Sequence, residues 1–208
     1  MSNKEKNFKE KFKQALISTT KVISDDYKLD INKTDKSSTS KKVDYFDITN
    51  LSSKEDFIKL RAEADSTALK KKFSNKKIFN KNLPKNQSCK DLYNIAEKIR
   101  YEVLGTKMLK GIGKNLDENY NHKIISLRKD QYKNKEDVSV KDAFELYMLK
   151  RFLNIKLNTI SKKILSFWEK DFTAIDEHVD FLNKNLEDQN NYSLKFSEIL
   201  ENMKLFNS

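Results

Sequence analysis

The chain has 208 residues and a net charge of +11, from 42 Lys and Arg against 31 Asp and Glu. Leu, Ile, Val and Phe supply about a quarter of it, enough to bury a domain-sized core, while three Gly and one Pro are too few for turn-rich sandwiches or barrels. One Cys excludes a disulfide framework and a Cys-based zinc cluster, and no apolar run approaches the ~18 residues of a membrane span.

A mostly α chain is therefore expected: a compact multi-helix bundle with at most one or two short strands. The N-terminus is charged and has no continuous apolar stretch, so it does not read as a secretory signal, and a cytoplasmic location is expected. Of the basic residues, only Arg61, Arg100, Arg128 and Arg151 are Arg, and the 38 Lys accompany 21 Asn, as AT-rich coding would produce. Base reading and phosphate clamping favour the planar Arg fork, so this Lys excess argues against a specific nucleic-acid partner.

Residues 5–24 place Phe8, Phe12, Ala15, Leu16, Thr19, Val22 and Ile23 at helical spacing, which predicts a detached N-terminal amphipathic helix over 1–24. Residues 25–50 contain "DKSSTSKK", with nothing to bury, and are expected to form a flexible linker. Within it Val43, Tyr45 and Ile48 alternate enough for one short strand. The rest, 51–208, is expected to be the helical domain. Ser52 and Glu55 have capping-box spacing, and Phe57, Leu60, Ala64 and Ala68 share one face, predicting a helix from Ser53 to Lys72.

Lys70, Lys71, Lys72, Lys76, Lys77, Lys81, Lys85 and Lys90 then crowd a stretch broken at Pro84. Two readings stay open for it. It is a solvated helix end and loop, where Lys suits the helix dipole, or a docking surface for an anionic partner.

Ser88 and Asp91 signal the next start, and Leu92, Ile95, Ala96, Ile99, Val103 and Leu104 define the clearest amphipathic helix in the chain. All three glycines, Gly105, Gly111 and Gly113, follow within nine residues, so this helix either stops near Gly105 or passes through a tight contact. Leu116 to Tyr120 and Ile124 to Leu127 continue an apolar face up to the loop "DQYKNKED". Ser139 with Asp142 opens a helix burying Val140, Ala143, Phe144, Tyr147, Phe152 and Leu153 and ending near Asn154. Ile160, Ile164, Leu165, Trp168, Phe172, Ile175, Val179 and Leu182 read as one kinked helix. A last helix follows "EDQNNYS", with Leu194, Phe196, Ile199, Leu200 and Met203 inward.

Catalytic motifs do not assemble. A phosphate-binding loop needs Gly five residues before Gly113 and Ser or Thr after Lys114, where Met108 and Asn115 stand. The dinucleotide pattern would need Gly at Leu116. His122, His178 and Cys89 are too few and too scattered for zinc, and Asp176, Glu177, His178 and Asp180 read as a solvated helix face more readily than as a cation site. Cys89 near a helix start is either an activated thiol or a small packing residue, and no His or second Cys supports the first. Glu97, Arg100 and Glu102 share the strongest helix, and Glu97 and Arg100 can bond across a turn. In a central helix such groups would need internal partners.

The stretch Tyr93–Leu116, "YNIAEKIRYEVLGTKMLKGIGKNL", resembles the CobT subunit family of cobaltochelatases, with Glu97, Arg100, Glu102, Gly105, Met108, Gly111, Asn115 and Leu116 at the family's spacing. "ADSTALKKKF" from Ala64 is similar to a second family segment, carried by Asp65, Ser66, Ala68 and Leu69. The resemblance covers most of the chain and implies a helical N-terminal region in which these residues form a packing motif. The metal-dependent Asp-x-Ser-x-Ser of the family's von Willebrand A-type domain is not present, since "DVSVK" at Asp137 lacks the second Ser.

Family membership would imply a non-catalytic assembly module working with an AAA+ ATPase subunit and a large catalytic subunit that inserts cobalt into a corrin ring. ATP and cobalt would then lie on the partners, and this chain would bind no cofactor or metal itself. Lys70, Lys71, Lys72, Lys76, Lys77, Lys81 and Lys85 would be the docking surface. The alternative is a nonspecific polyanion-binding or nucleic-acid-binding helical protein using the Lys70–Lys90 segment.

Overall fold

The computed structural model describes residues 3–28, 48, 51–128 and 132–203. Among these residues there are ten α-helices and no strand, which establishes the mostly α class. None of the helices is long and apolar enough to cross a membrane. The chain forms two compact units, residues 1–72 and 73–208.

In the first unit, α1 (Asn3–Ser24) and α2 (Lys54–Phe73) pack through one shared apolar cluster. Leu16, Ile17 and Ala64 are its buried members, with Phe12 and Leu60 against them. Ala62, Ala64 and Ala68 keep the buried side of α2 shallow, so a neighbouring helix can come close. The Phe57 ring lies 5.6 Å from Phe8 and 5.0 Å from Phe12, and Lys71 and Lys72 pair with Asp26 and Asp25. The N-terminal helix is thus partnered by α2 within this unit. The expected linker and strand fall outside the described residues for 29–47 and 49–50; Ile48 is described, and it is buried.

The cap of α2 is one residue later than its sequence signature. Ser53 Oγ accepts from the Asp56 N–H, and the Asp56 carboxylate accepts from the N–H groups of Ser52 and Ser53, so Asp56 takes the part expected of Glu55. Those backbone donors hold the Asp56 carboxyl down at about 2.

The second unit runs α3 (Lys76–Lys81), α4 (Gln87–Met108), α5 (Lys110–Ile125), α6 (Val140–Phe152), α7 (Thr159–Ser166), α8 (Thr173–Asp176), α9 (Val179–Lys184) and α10 (Gln189–Asn202), with 3-10 turns at 135–137 and 169–172. α4 is the central helix, packed against α5, α6 and α10. Its start is capped by Asn86, whose side chain accepts from the Ser88 N–H, and not by Ser88 itself. The expected Ser139 cap of α6 is present and accepts from Lys141 N–H. α6 ends at Phe152, and Asn154 takes a left-handed φ of 56°, a conformation that Asn tolerates better than most residues.

The aromatic centre is Phe144, edge-on to Phe172 at 5.5 Å and to Phe196 at 6.2 Å, with all three fully buried. The expected long helix from Ile160 to Leu182 is broken into α7, a 3-10 turn, α8 and α9. Trp168 sits at the break: its Nε1 donates to Val138 O at 3.1 Å, and Lys135 lies 4.0 Å above its ring while pairing with Asp171. Around it the backbone tightens to three-residue bonds, Trp168 N–H to Leu165 O and Asp171 N–H to Trp168 O, and Phe172, Ile175 and Leu182 still turn inward.

α10 begins earlier than expected, because Asp188 caps it by accepting from Asn191 N–H. The earlier start puts Tyr192 and Ser193 inside and leaves Leu194, an expected core residue, 46% exposed. Phe144→Ala is expected to cost about 3–5 kcal/mol and Leu194→Ala to stay within about 0.5 kcal/mol, read from urea unfolding midpoints.

Candidate functional site: a buried charged clamp and an exposed basic stretch

Three charged residues of α4, Glu97, Arg100 and Glu102, are buried. Arg100 is 1% exposed and Glu97 3% exposed, and they meet in a bidentate pair, Nε to Oε2 at 2.8 Å and Nη2 to Oε1 at 2.9 Å. The three-residue spacing brings the groups together over one turn, and the planar guanidinium matches the two carboxylate oxygens. Burying two charges is costly unless their remaining donors and acceptors are also met. Here they are met by backbone: Arg100 Nη1 donates to Leu186 O at 2.7 Å and Nη2 to Phe73 O at 2.6 Å.

Glu97 Oε1 accepts two further bonds, from Ser74 Oγ at 2.6 Å and from Gln189 Nε2 at 2.9 Å. Gln189 Oε1 in turn accepts from Asn75 N–H at 2.6 Å. The Tyr192 ring stands 6.0 Å from the guanidinium and its hydroxyl donates to Ala96 O. The clamp therefore ties three stretches together: residues 73–75, α4, and the α9–α10 turn with the first residue of α10.

Glu102 is on a different side of α4 and fully buried. It accepts from Tyr120 Oη at 2.6 Å and lies 4.0 Å from Lys98, linking α4 to α5. Burial and, after it, the Glu102 charge push the Tyr120 phenol well above its ordinary value, so it stays protonated and keeps donating. Lys98 and Lys123 both reach Glu145 of α6, which extends the tie to a third helix.

The remaining motif residues are distributed otherwise. Gly105 is buried within α4, which runs through it and continues to Met108. Met108 and Gly111 are exposed and Asn115 is half-buried. A Cβ on Gly111 would meet nothing within 4 Å, and one on Gly113 would make only ordinary contact with Thr106, so the expected tight contact is not found at these two glycines. Asp65 is buried and Ser66 half-buried on α2, in the first unit.

The basic stretch divides between the units. Lys70, Lys71 and Lys72 belong to the first, where Lys71 and Lys72 are engaged by Asp26 and Asp25. Lys76, Lys77 and Lys81 are exposed on α3, and Lys85 is exposed just after it. α3 is fixed from beneath by Asn82, whose Nδ2 donates to Ser193 Oγ at 2.7 Å, and by the Asn75 cap.

The other chemical candidates settle as structural groups. Cys89 is buried with its thiol against Leu200 O at 3.5 Å, and burial, then the Glu201 charge, push it up; an activated thiol is not what the site holds. Asp176 is taken by Tyr147 Oη at 2.7 Å and Arg151 Nε at 2.8 Å. Among the described residues no group of three or more His, Cys, Asp or Glu is placed to hold a metal ion.

Sequence reading did not reach Ser74, Gln189 or the Leu186 carbonyl. Gln189 and Glu97 are 92 positions apart, and no local pattern pairs them. Tyr120 carried a weak signal as an apolar position on a helix that also has to find a partner for its hydroxyl.

Residues 6–208 match the protein family described as cobalamin biosynthesis protein CobT. Comparison with curated proteins and with solved structures finds no match.

Arg100→Ala leaves the Glu97 carboxylate and two carbonyls buried with fewer partners, and is expected to cost about 3–5 kcal/mol, whereas Lys76→Ala is expected within about 0.5 kcal/mol. Equal melting midpoints for the two variants would contradict the clamp. For Cys89, a thiol-specific disulfide reagent at pH 8 is expected to react only at the rate of unfolding, with the full equivalent released in denaturant. Fast reaction of the folded chain would show an accessible thiolate.

Proposed function

The chain belongs to the CobT family of cobalamin biosynthesis proteins, and from that membership we propose that it acts in the cytoplasm as a non-catalytic helical assembly module of an ATP-dependent cobaltochelatase. In this reading it couples an AAA+ ATPase subunit to the large subunit that inserts cobalt into the corrin ring. The observation that carries the reading is the family match along residues 6–208. ATP is hydrolysed on the ATPase partner, and cobalt and the corrin are cargo of the large subunit.

The part played by this chain is mechanical. An ATPase ring changes shape on nucleotide turnover, and a docked element transmits that change only if it does not absorb the displacement itself. The clamp supports such a role: Arg100 and Glu97 fix residues 73–75, α4 and the α9–α10 turn by directional bonds, and Glu102 with Tyr120 fixes α5 to α4. Sliding any one of these elements would leave buried charge without partners. Lys76, Lys77, Lys81 and Lys85 on and after α3 are the docking residues for an acidic partner surface, and charge there mainly steers encounter. Lys70, Lys71 and Lys72 extend that charge along the chain, with Lys71 and Lys72 already held by carboxylates of the first unit.

The test is reconstitution. The full chain is mixed with the AAA+ and large chelatase subunits of the same organism and passed over a size-exclusion column with and without ATP at moderate salt. Joint elution of the three, strengthened by ATP and weakened by Lys76→Glu with Lys77→Glu, is the expected result. Separate elution in every nucleotide state, or association with nucleic acid alone, would overturn the assignment.

A further inference from the structure

The corner between α4 and α5 has three features that the fold does not require. Met108 ends α4, Leu109 is the single residue between the helices, and α5 starts at Lys110; Met108 is 37% and Leu109 47% exposed. Gly111 has a negative φ and open space where a Cβ would be, so neither a turn nor internal packing calls for glycine there. Lys107, Lys110 and Lys114 are exposed around the corner and have no carboxylate partner among the described residues. Elsewhere on the same two helices Lys98 and Lys123 are matched by Glu145, while Lys90, half-buried near the other end of α4, has no carboxylate partner among the described residues.

The corner is also held in place. Leu109 N–H donates to Gly105 O at 3.0 Å, and Leu109 O accepts from Ile112 N–H at 3.1 Å and Gly113 N–H at 3.3 Å. A surface already fixed loses little freedom when something binds to it. A glycine in an open helical turn gives up helix propensity, and what it provides in exchange is backbone that another chain can approach without meeting a side chain.

We propose that the α4–α5 corner is a docking surface for an acidic segment of a partner protein. An apolar side chain of that segment seats on Met108 and Leu109, its backbone passes over Gly111, and its carboxylates meet Lys107, Lys110 and Lys114. The uncompensated positive charge selects an acidic occupant, and the apolar pair with the bare glycine selects a peptide over a bare polyanion. The assignment stands apart from the chelatase reading, because it uses neither α3 nor the buried clamp.

The probe is a fluorescein-labelled synthetic peptide with two Leu flanked by six Glu, titrated with the full chain by anisotropy at low salt. Saturable binding is expected, with Gly111→Ala weakening it about tenfold while leaving the melting midpoint unchanged or raised, and Lys107→Glu with Lys110→Glu abolishing it. An all-Glu peptide, a peptide with Gln in place of Glu, and a thymidine oligonucleotide are each expected to bind at least about tenfold more weakly. No binding of the probe, equal binding by the Gly111→Ala variant, or equal binding of the all-Glu peptide or the oligonucleotide would overturn the proposal.

Discussion

The second unit depends on a charge pair that is almost entirely withdrawn from water. Arg100 and Glu97 are both almost wholly buried, and a guanidinium and a carboxylate in that setting are tolerated only when each remaining donor and acceptor finds a partner. The partners are the carbonyls of Phe73 and Leu186, the hydroxyl of Ser74 and the amide of Gln189. They come from opposite ends of the unit's sequence. Chain order therefore places the beginning of the unit, its central helix and the start of its last helix in one register, and the bonds hold that register because any slip strands a charge.

This is a different contribution from that of the apolar core. Phe144, Phe172 and Phe196 bury a large area, but apolar contact is not directional and would accept modest rearrangement. An ion pair replaced by well-packed apolar groups can leave a protein just as stable, so the clamp is better understood as selecting one geometry than as adding stability. Glu102 with Tyr120 repeats the device between α4 and α5, where a protonated phenol meets a buried carboxylate. α4 thus carries two polar ties on different sides with an apolar stripe between them.

Several elements could be placed from the chain alone because their signals are local. The Ser139 cap and the apolar stripe of α4 depend on residues within a turn or two of each other, and a helix reads them whatever surrounds it. Where two local signals compete, the structure takes the one the spacing favours less: Asp56 in place of Glu55 in the α2 cap, Asn86 in place of Ser88 in α4, and, for α10, Asp188 within the polar run that the last helix is expected to follow. Each shift is one to a few residues, the distance over which several Asn, Ser and Asp side chains offer similar caps.

Sequence alone determined the helical class, the lack of a metal-binding or phosphate-binding motif, the charged triplet on one helix, and the family resemblance that the match over residues 6–208 bears out. These rest on composition, period and spacing, which do not depend on distant partners. Tertiary structure decided the rest. It packed α1 on α2, broke the Ile160–Leu182 stretch around Trp168, and turned Leu194 outward. It also supplied the internal partners that make Glu97 and Arg100 a buried clamp, and left Met108 and Gly111 facing outward at a corner. The reason is common to all of these: burial is a property of what comes to lie opposite a residue, and here the opposing groups, such as Gln189 for Glu97, come from parts of the chain that no helical period connects.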